Sequence, residues 1–466
     1  MTIGKLKEIK PHSKGCTVTL DIGDQRFDAD FTYGSDKRLN KDWQELAGIL
    51  AGNFALSYLP LDELEFVCSD EEEFQLMSTL AYQSRMSYAY FARGIKKVSE
   101  HLFNTEPSYT WKKAPVDRID AVQDPDSVLC FYSGGKDSTL SLGVLDIAGY
   151  KVLPFVTFLK KEEYRHTSDD APQSLSSVGR DFAEAYTNID EIKPLFTKVT
   201  GYPSLEGTLR LYWVANALPL AAGIKARYIS LSGELTLPHV VHHAGRRIFN
   251  NLFDQVFPAG VLVNRLLEKK GLPPVLSVIQ GLTVYGVQKI LKAHFPQEIR
   301  HQLTCNHPVW DEERKQWRCC SQCEVCRSLY IIVKALGMPP DMVRLDEEKL
   351  LKSRVTPEEM VGPAISQEEL EHCLAIDNAY VPEYQGKTHP EVGGIQFSPA
   401  YNNPPLTLSH DEYLRIYSNL DNLLQGGVYI STNGSPKQSN LEDVWNILSN
   451  YDYVFDGKDA RVVKRG

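Results

Sequence analysis

The segment Ser133-Gly134-Gly135-Lys136-Asp137-Ser138 directly follows the apolar run Val128 to Tyr132, and a stretch with helical spacing follows at once. A strand that passes through a Gly-Gly turn into a helix gathers several backbone N–H groups at one point. The helix N-terminus adds unpaired donors and a partial positive charge there. Ser133, Ser138 and Thr139 supply hydroxyls and Lys136 a full charge. An anion such as pyrophosphate suits such a loop. Asp137 would repel that anion unless a cation lay between them, so its carboxylate points to Mg²⁺ shared with the phosphates. The bland alternative is a capped turn in which Asp137 and Ser138 satisfy the first turn of the helix. The loop is not a kinase- or GTPase-type P-loop, which needs four residues between its glycines.

Farther along, Cys320, Cys323 and Cys326 are separated by two residues each, and Cys305 precedes them across a loop. Four thiolates satisfy tetrahedral zinc. The same spacing suits an iron–sulfur cluster, and a set of buried free thiols is the reading without a metal. Cys319 competes with Cys320 for a place in the set, which the two-residue spacing gives to Cys320. Cys16, Cys68, Cys130 and Cys373 are scattered. An odd total of 9 cysteines in a long chain, with no apolar leader after Met1, favours metal over disulfides and a cytoplasmic protein.

Three further groups are weaker candidates. Ser230-Leu-Ser-Gly-Glu234 ends an expected strand, at the carboxyl edge where open parallel sheets bind ligands. Glu234 there reads as a ligand for a purine-like N–H donor or a metal, or equally as a helix cap. His239, His242, His243, Arg246 and Arg247 form a cationic cluster able to neutralise a carboxylate or ATP phosphates, although a solvated helix face is the commoner explanation. Lys160, Lys161, Arg165 and His166 lie just past the second strand at a similar edge.

The elements that must position these residues follow from periodicity. Apolar runs at Val128 to Tyr132, Val152 to Phe158, Leu195 to Val199 and Tyr228 to Leu231 read as strands. They alternate with helices at Ser138 to Ala148 and Pro172 to Tyr186. That rhythm predicts an α/β unit with a parallel sheet and helices on both faces over residues 119–345. Before it, alternation at Val18 to Ile22 and Phe27 to Phe31 around Gly23-Asp24 predicts a hairpin, and helical spacing follows at Asp42 to Leu50 and Asp70 to Arg93. Residues 1–118 thus read as an N-terminal α+β accessory domain, ending in a linker from Thr110 to Pro125. Residues 346–466 read as a mostly helical C-terminal extension, with helices at Ser366 to Leu374 and His410 to Leu424.

Composition narrows the function. With 466 residues, 42% hydrophobic and 24% charged, the chain has the balance of an ordinary globular protein of about three domains. Fifty Lys+Arg against 60 Asp+Glu give −10, which disfavours broad nucleic-acid binding. The longest mostly apolar stretch, Leu211 to Ile224, is shorter than the ~20 residues of a membrane span.

Ser133 to Ser138 resembles the signature of the PP-loop ATP pyrophosphatases. With one Cys followed by Cys-x-x-Cys-x-x-Cys near the end, residues of about 126–340 resemble the 7-cyano-7-deazaguanine synthase branch. The resemblance implies that Ser133, Gly134, Gly135, Lys136, Asp137, Ser138 and Thr139 bind ATP, with Glu234 as a further binding residue and Lys136, Asp137 and Ser138 catalytic. It implies ATP, Mg²⁺ and Zn²⁺ as cofactors, adenylation of 7-carboxy-7-deazaguanine, release of pyrophosphate, and transfer to a nitrogen nucleophile. Ammonia is that branch's acceptor. The layout also resembles conjugating relatives found in anti-phage operons, which implies an amine of a partner protein as acceptor. An RNA-modifying PP-loop enzyme and a nucleotide-sensing scaffold without turnover are the other readings, and the acidic balance counts against the former. The chain departs from the branch in three places. Lys136 stands where the branch usually has an uncharged residue, the loop from Cys305 to Cys320 is longer, and Ser232 to Pro238 replaces the usual Asn-x-x-Asp-Tyr-Ser-Gly-Tyr-Pro segment.

Overall fold

The computed structural model describes residues 3–34, 39–115, 118–119, 121–159, 165–202, 210–234, 239–243, 245–250, 253, 256–352, 365–379, 381, 386–432 and 434–465. Its strands are β1 (Ile3–His12), β2 (Gly15–Ile22), β3 (Gln25–Tyr33), β4 (Glu63–Cys68), β5 (Ser108–Lys113), β6 (Ser127–Phe131), β7 (Lys151–Leu159), β8 (Ala183–Thr187) and β9 (Tyr228–Ser230), then the hairpin β10 (His239–His243) and β11 (Arg246–Asn250), then β12 (Val275–Leu276). Ten of them form one sheet in the order β12-β9-β6-β7-β8-β3-β2-β1-β4-β5. The half from β12 to β8 is all parallel. The pairings β8–β3, β3–β2 and β2–β1 are antiparallel, and β1–β4 and β4–β5 are parallel again. The protein is therefore α/β, with a mixed, mostly parallel sheet.

Side chains on β6 show why both faces need helices. Leu129 and Phe131 enter one core with the helices Arg210–Gly223 and Phe257–Lys269. Val128 and Cys130 enter another with the helices Lys136–Ile147, Val284–His294 and Glu324–Ala335. A strand buried on both faces is apolar nearly throughout, and β6, buried at every position, is apolar from Val128 to Phe131. In the parallel half β6 lies at the centre, with β7 and β8 on one side and β9 and β12 on the other. This Rossmann-like order reverses between β6 and β9. The crevice outside their carboxyl ends is where such sheets bind ligands.

The expected hairpin is β2–β3, turning through Gly23 at φ 62°, a left-handed conformation that glycine adopts without strain. The same sheet runs across the boundary expected near residue 118, because β3 pairs with β8, Phe31 opposite Thr187.

Four expectations need correction. Leu195 to Val199 is not a strand but part of the helix Ile192–Thr200, and the third parallel strand is β8. The helix expected over Pro172 to Tyr186 spans Arg165–Ser177, and the chain has turned into β8 before Tyr186. A short apolar run does not tell a strand from one face of a helix, and β8, with Glu184 and Tyr186 half-buried or exposed, lacks the apolar run of a central strand. The linker expected from Thr110 begins inside β5, an edge strand whose side chains are mostly exposed. The C-terminal region is less helical than expected. Besides the helices Gln367–Ile376, His410–Leu424 and Leu441–Leu448 it holds a three-stranded sheet of Ile395–Phe397, Val428–Ile430 and Lys437–Ser439, and a hairpin of Tyr451–Phe455 and Ala460–Lys464. The apolar stretch after Arg210 is the buried helix Arg210–Gly223, and no helix among the described residues is long and apolar enough to cross a membrane.

Candidate functional site

The turn after β6 opens into the helix Lys136–Ile147 through Gly134 at φ 77° and Gly135, which caps the helix without a side-chain hydrogen bond. The first-turn N–H groups are therefore left for partners other than the capping residue. One of them, Lys136 N–H, donates to Thr304 Oγ1 (3.4 Å). Leu303 N–H in turn donates to the Gly134 carbonyl (3.2 Å). Within the loop, Ser133 N–H donates to Ser138 Oγ (3.3 Å), and Ser138 Oγ donates to the Gly135 carbonyl (3.1 Å). Thr139 points behind the loop, where its hydroxyl donates to Tyr132 Oη (3.5 Å).

Lys136 is only 6% exposed, and its ammonium lies between two carboxylates. Nζ donates to both Asp137 oxygens at 2.7 Å and to Glu234 Oε1 at 3.2 Å. Glu234 reaches this place from the end of β9, across the switch point, and is itself buried. There it accepts from Lys136 at the loop. One cation against two carboxylates leaves a net negative charge in a site of low dielectric. Burial, then the charge of Glu234, pushes the Asp137 carboxyl up to about 7 against the pull of Lys136. Burial also opposes ionisation of Glu234, but Lys136 outweighs it and holds that carboxyl below its usual range. Burial opposes the charge on Lys136 as well, and Asp137 and Glu234 override it, holding the ammonium above its usual range. A second cation at the carboxylates would relieve this imbalance, and paired oxygens are the donor set a hard divalent ion takes.

The four expected cysteines converge. Sγ atoms of Cys305, Cys320, Cys323 and Cys326 all lie within 4.8 Å of one another, an arrangement able to hold a metal ion such as zinc. Sulfur–sulfur distances are 3.9 Å for Cys305–Cys323, 3.8 Å for Cys320–Cys326, 3.4 Å for Cys323–Cys326 and 3.5 Å for Cys326–Cys305. A tetrahedron with Zn–S bonds of about 2.3 Å has edges of about 3.8 Å, so the cage is close to the size zinc requires. Backbone N–H groups of His307 and Cys320 donate to Cys305 Sγ, and that of Cys323 to Cys320 Sγ, as thiolates require. Cys319 is excluded: it is buried, and its thiol faces the carbonyls of Thr304 and Val343. All nine cysteines are free of disulfides.

The loop and the cage share a wall. Thr304, which accepts from the loop, is the residue before Cys305, and the helix Glu324–Ala335 starts directly after its N-cap, Cys323. Between them and the loop lies a cavity of about 260 Å³, lined by Lys136, Asp137 and Glu234 on the sheet side and by Glu324, Val325, Ser328 and Leu329 of the cysteine-capped helix, with Val284, Thr304 and Asn306. Sequence reasoning missed Thr304, Asn306, Glu324 and Ser328. The one available signal was that Glu324 and Ser328 fall on one helical face beside Cys323.

The other candidates lie elsewhere. His239 to Arg247 is no helix but the hairpin β10–β11. Arg246 donates to Tyr82 Oη and the Phe103 carbonyl, and Arg247 donates to the Ala460 carbonyl and stacks over Phe249. Both arginines are thus used in packing. Lys160 and Lys161, and the side chains of Arg165, His166 and His239, lie outside the described residues. The longer loop after Cys305 forms a hairpin, Val309–Asp311 with Gln316–Arg318, in which Trp310 and Trp317 meet edge to face. No protein-family model matches the chain, and no curated protein matches it either.

Proposed function

We propose that the protein is an AMP-forming carbon–nitrogen ligase of the PP-loop type, which adenylates the carboxylate of 7-carboxy-7-deazaguanine and transfers the acyl group to an amine of a partner protein. One observation carries this reading: the Ser133–Ser138 loop, with its buried Lys136 between Asp137 and Glu234, opens on the same cavity as the helix of the cysteine cage. An ATP polyphosphate would be held by the loop's N–H groups, Ser133 and Lys136. Asp137 and Glu234 would hold Mg²⁺, which when bound offsets the negative charge of the departing pyrophosphate. Four thiolates leave zinc no open position, so the metal there is structural.

In the first step a substrate carboxylate oxygen attacks the α phosphorus, and the bond to the pyrophosphate oxygen breaks. Lys136, held between Asp137 and Glu234, would set its positive charge beside the phosphates and so help to stabilise theirs. In the second step an amine attacks the acyl carbon and loses a proton, the C–O bond to AMP breaks, and an amide remains. Residues 1–118 and 346–466 offer surface that ammonia would not need, which favours a macromolecular acceptor. A cytoplasmic protein acting in anti-phage defence is the setting implied by the conjugating relatives.

The test is release of AMP and pyrophosphate from ATP with 7-carboxy-7-deazaguanine, followed by intact-mass analysis of proteins encoded beside this one and co-expressed with it. The expected result is one added deazaguanine acyl group on a partner, lost in Asp137→Asn. Conversion of the free carboxylate and ammonia to amide and nitrile, with no mass change on any protein, would instead assign the small-molecule reaction. AMP formation by Asp137→Asn at the parent rate would refute the loop's role.

A further inference from the structure

The cavity has a second polar wall that the adenylation chemistry leaves unused. Ser328 lines it and is 2% exposed, yet its Oγ has no hydrogen-bond partner among the described residues. A buried hydroxyl left without a partner is unfavourable, and in native proteins such a group normally meets water or a ligand. Glu324 lies one helical turn earlier, lines the same cavity nearer solvent, and makes no ion pair or side-chain hydrogen bond among the described residues. Residues four apart on a helix stand about 5–6 Å apart at Cβ, so the carboxylate and hydroxyl can reach neighbouring positions on one edge of a single ring. Val284, Val325 and Leu329 supply apolar lining, which suits the faces of a flat heterocycle.

The chemistry of this wall is selective. A carboxylate accepts and cannot donate, so it favours an edge with two adjacent N–H groups. A hydroxyl beside it can donate to a ring carbonyl. That order, amine, ring N–H, carbonyl, is the edge of a 2-aminopyrimidinone. We propose that Glu324 and Ser328 are the specificity residues that bind the guanine-type edge of the carboxylate substrate, directing its carboxyl group toward Lys136 and the loop. This assignment rests on the adenylation reading for the substrate's carboxyl end, but the ring contacts can be measured without turnover. It also gives the cysteine cage a role beyond stability, because the cage caps the helix that carries both residues.

The experiment is calorimetric titration of the zinc-loaded full chain with 7-carboxy-7-deazaguanine, with its analogue lacking the exocyclic amine, and separately with a non-hydrolysable ATP analogue. Glu324→Gln replaces one acceptor oxygen with a donor and is expected to weaken deazaguanine binding about tenfold or more. Wild type should discriminate against the analogue lacking the amine, and Glu324→Gln should lose that discrimination. Ser328→Ala is expected to weaken binding several-fold, and Ser328→Thr to restore part of it. Both variants should keep four-thiolate zinc content, melting temperature and ATP-analogue affinity. Wild-type affinity for the ring in both variants would overturn the proposal, as would failure of the wild type to distinguish the two rings. Ring binding lost in the variants, with no pyrophosphate released by wild type from any carboxylate, would keep the recognition wall and refute adenylation.

Discussion

Burial decides what single carboxylates do around this cavity. Glu369, on the helix Gln367–Ile376, is fully buried, and its Oε1 accepts from Tyr285 N–H (2.5 Å) in the first turn of the helix Val284–His294. Burial pushes its carboxyl up to about 7, the Tyr285 and Ser366 N–H bonds pulling the other way. The folded state thus keeps a proton that the unfolded chain, at 4.5, releases. Stability from this group is present below about pH 4.5 and is lost as pH rises through 7. Glu369→Gln should flatten that decline, by something on the order of 3 kcal/mol between pH 5 and 8, read as the difference in urea midpoints between variant and parent. An identical pH slope in both proteins would contradict the assignment. For the cage, Cys323→Ser removes one of the four sulfur ligands a metal would take, and the expected result is a metal content by elemental analysis below that of the parent protein together with a lower melting temperature. The four ligands were legible because thiolate spacing is a local property, and the choice of Cys320 over Cys319 holds. Glu324 and Ser328 were not legible as cavity residues. Their relevance comes from Lys136, Asp137 and Glu234, which arrive from remote points of the chain.

Among elements, the loop's helix is held at both ends by distant segments. Its start is tied through Thr304 to the cysteine cage. Its end is closed by Arg415 from the helix His410–Leu424, whose guanidinium donates to the carbonyls of Ala148 (2.5 Å) and Gly149 (2.7 Å) and to Asp126 Oδ1 (2.7 Å), while lying 4.0 Å from the Tyr150 ring centre. A cation on the last carbonyls complements the helix dipole and satisfies groups with no partner inside the helix. Arg415→Ala should cost about 2 kcal/mol in denaturant unfolding, and Arg415→Lys should recover only part, because an ammonium cannot span two carbonyls and a carboxylate as the planar fork does. A change below about 0.5 kcal/mol would show the clamp to be incidental. The strand and helix on either side of the loop were readable because β6 is apolar from Val128 to Phe131 and the turn is glycine-rich. The exchange of β8 for the run at Leu195 arose from the opposite situation. β8 joins the parallel half to antiparallel β3 and carries Glu184 and Tyr186 toward solvent, whereas Leu195 to Val199 packs one apolar helix face, with Phe196 fully buried.

At the scale of the molecule, the segments expected as accessories share cores with the site. Lys270, following the helix Phe257–Lys269, forms a buried ion pair with Glu73 of the helix Glu71–Phe91 (2.8 Å), each 1% exposed. Breaking one partner would strand the other's charge. On the opposite face, Leu370, Cys373, Tyr413, Ile416, Tyr417 and Leu420 from the last 121 residues are buried in the same core as Leu140, Val144 and Ile290. Removing those residues would expose an apolar face on the loop's own helix and take away Glu369 from the first turn of the helix that lines the cavity. A chain ending at residue 345 is therefore expected to lose cooperative thermal unfolding, to be digested within the helices Lys136–Ile147 and Val284–His294 under limited proteolysis, and to bind no ATP analogue. A truncated protein that melts sharply at the parent temperature and retains nucleotide affinity would mean that the C-terminal region is a separable appendage, with its contacts to the loop's helix contributing nothing to the site.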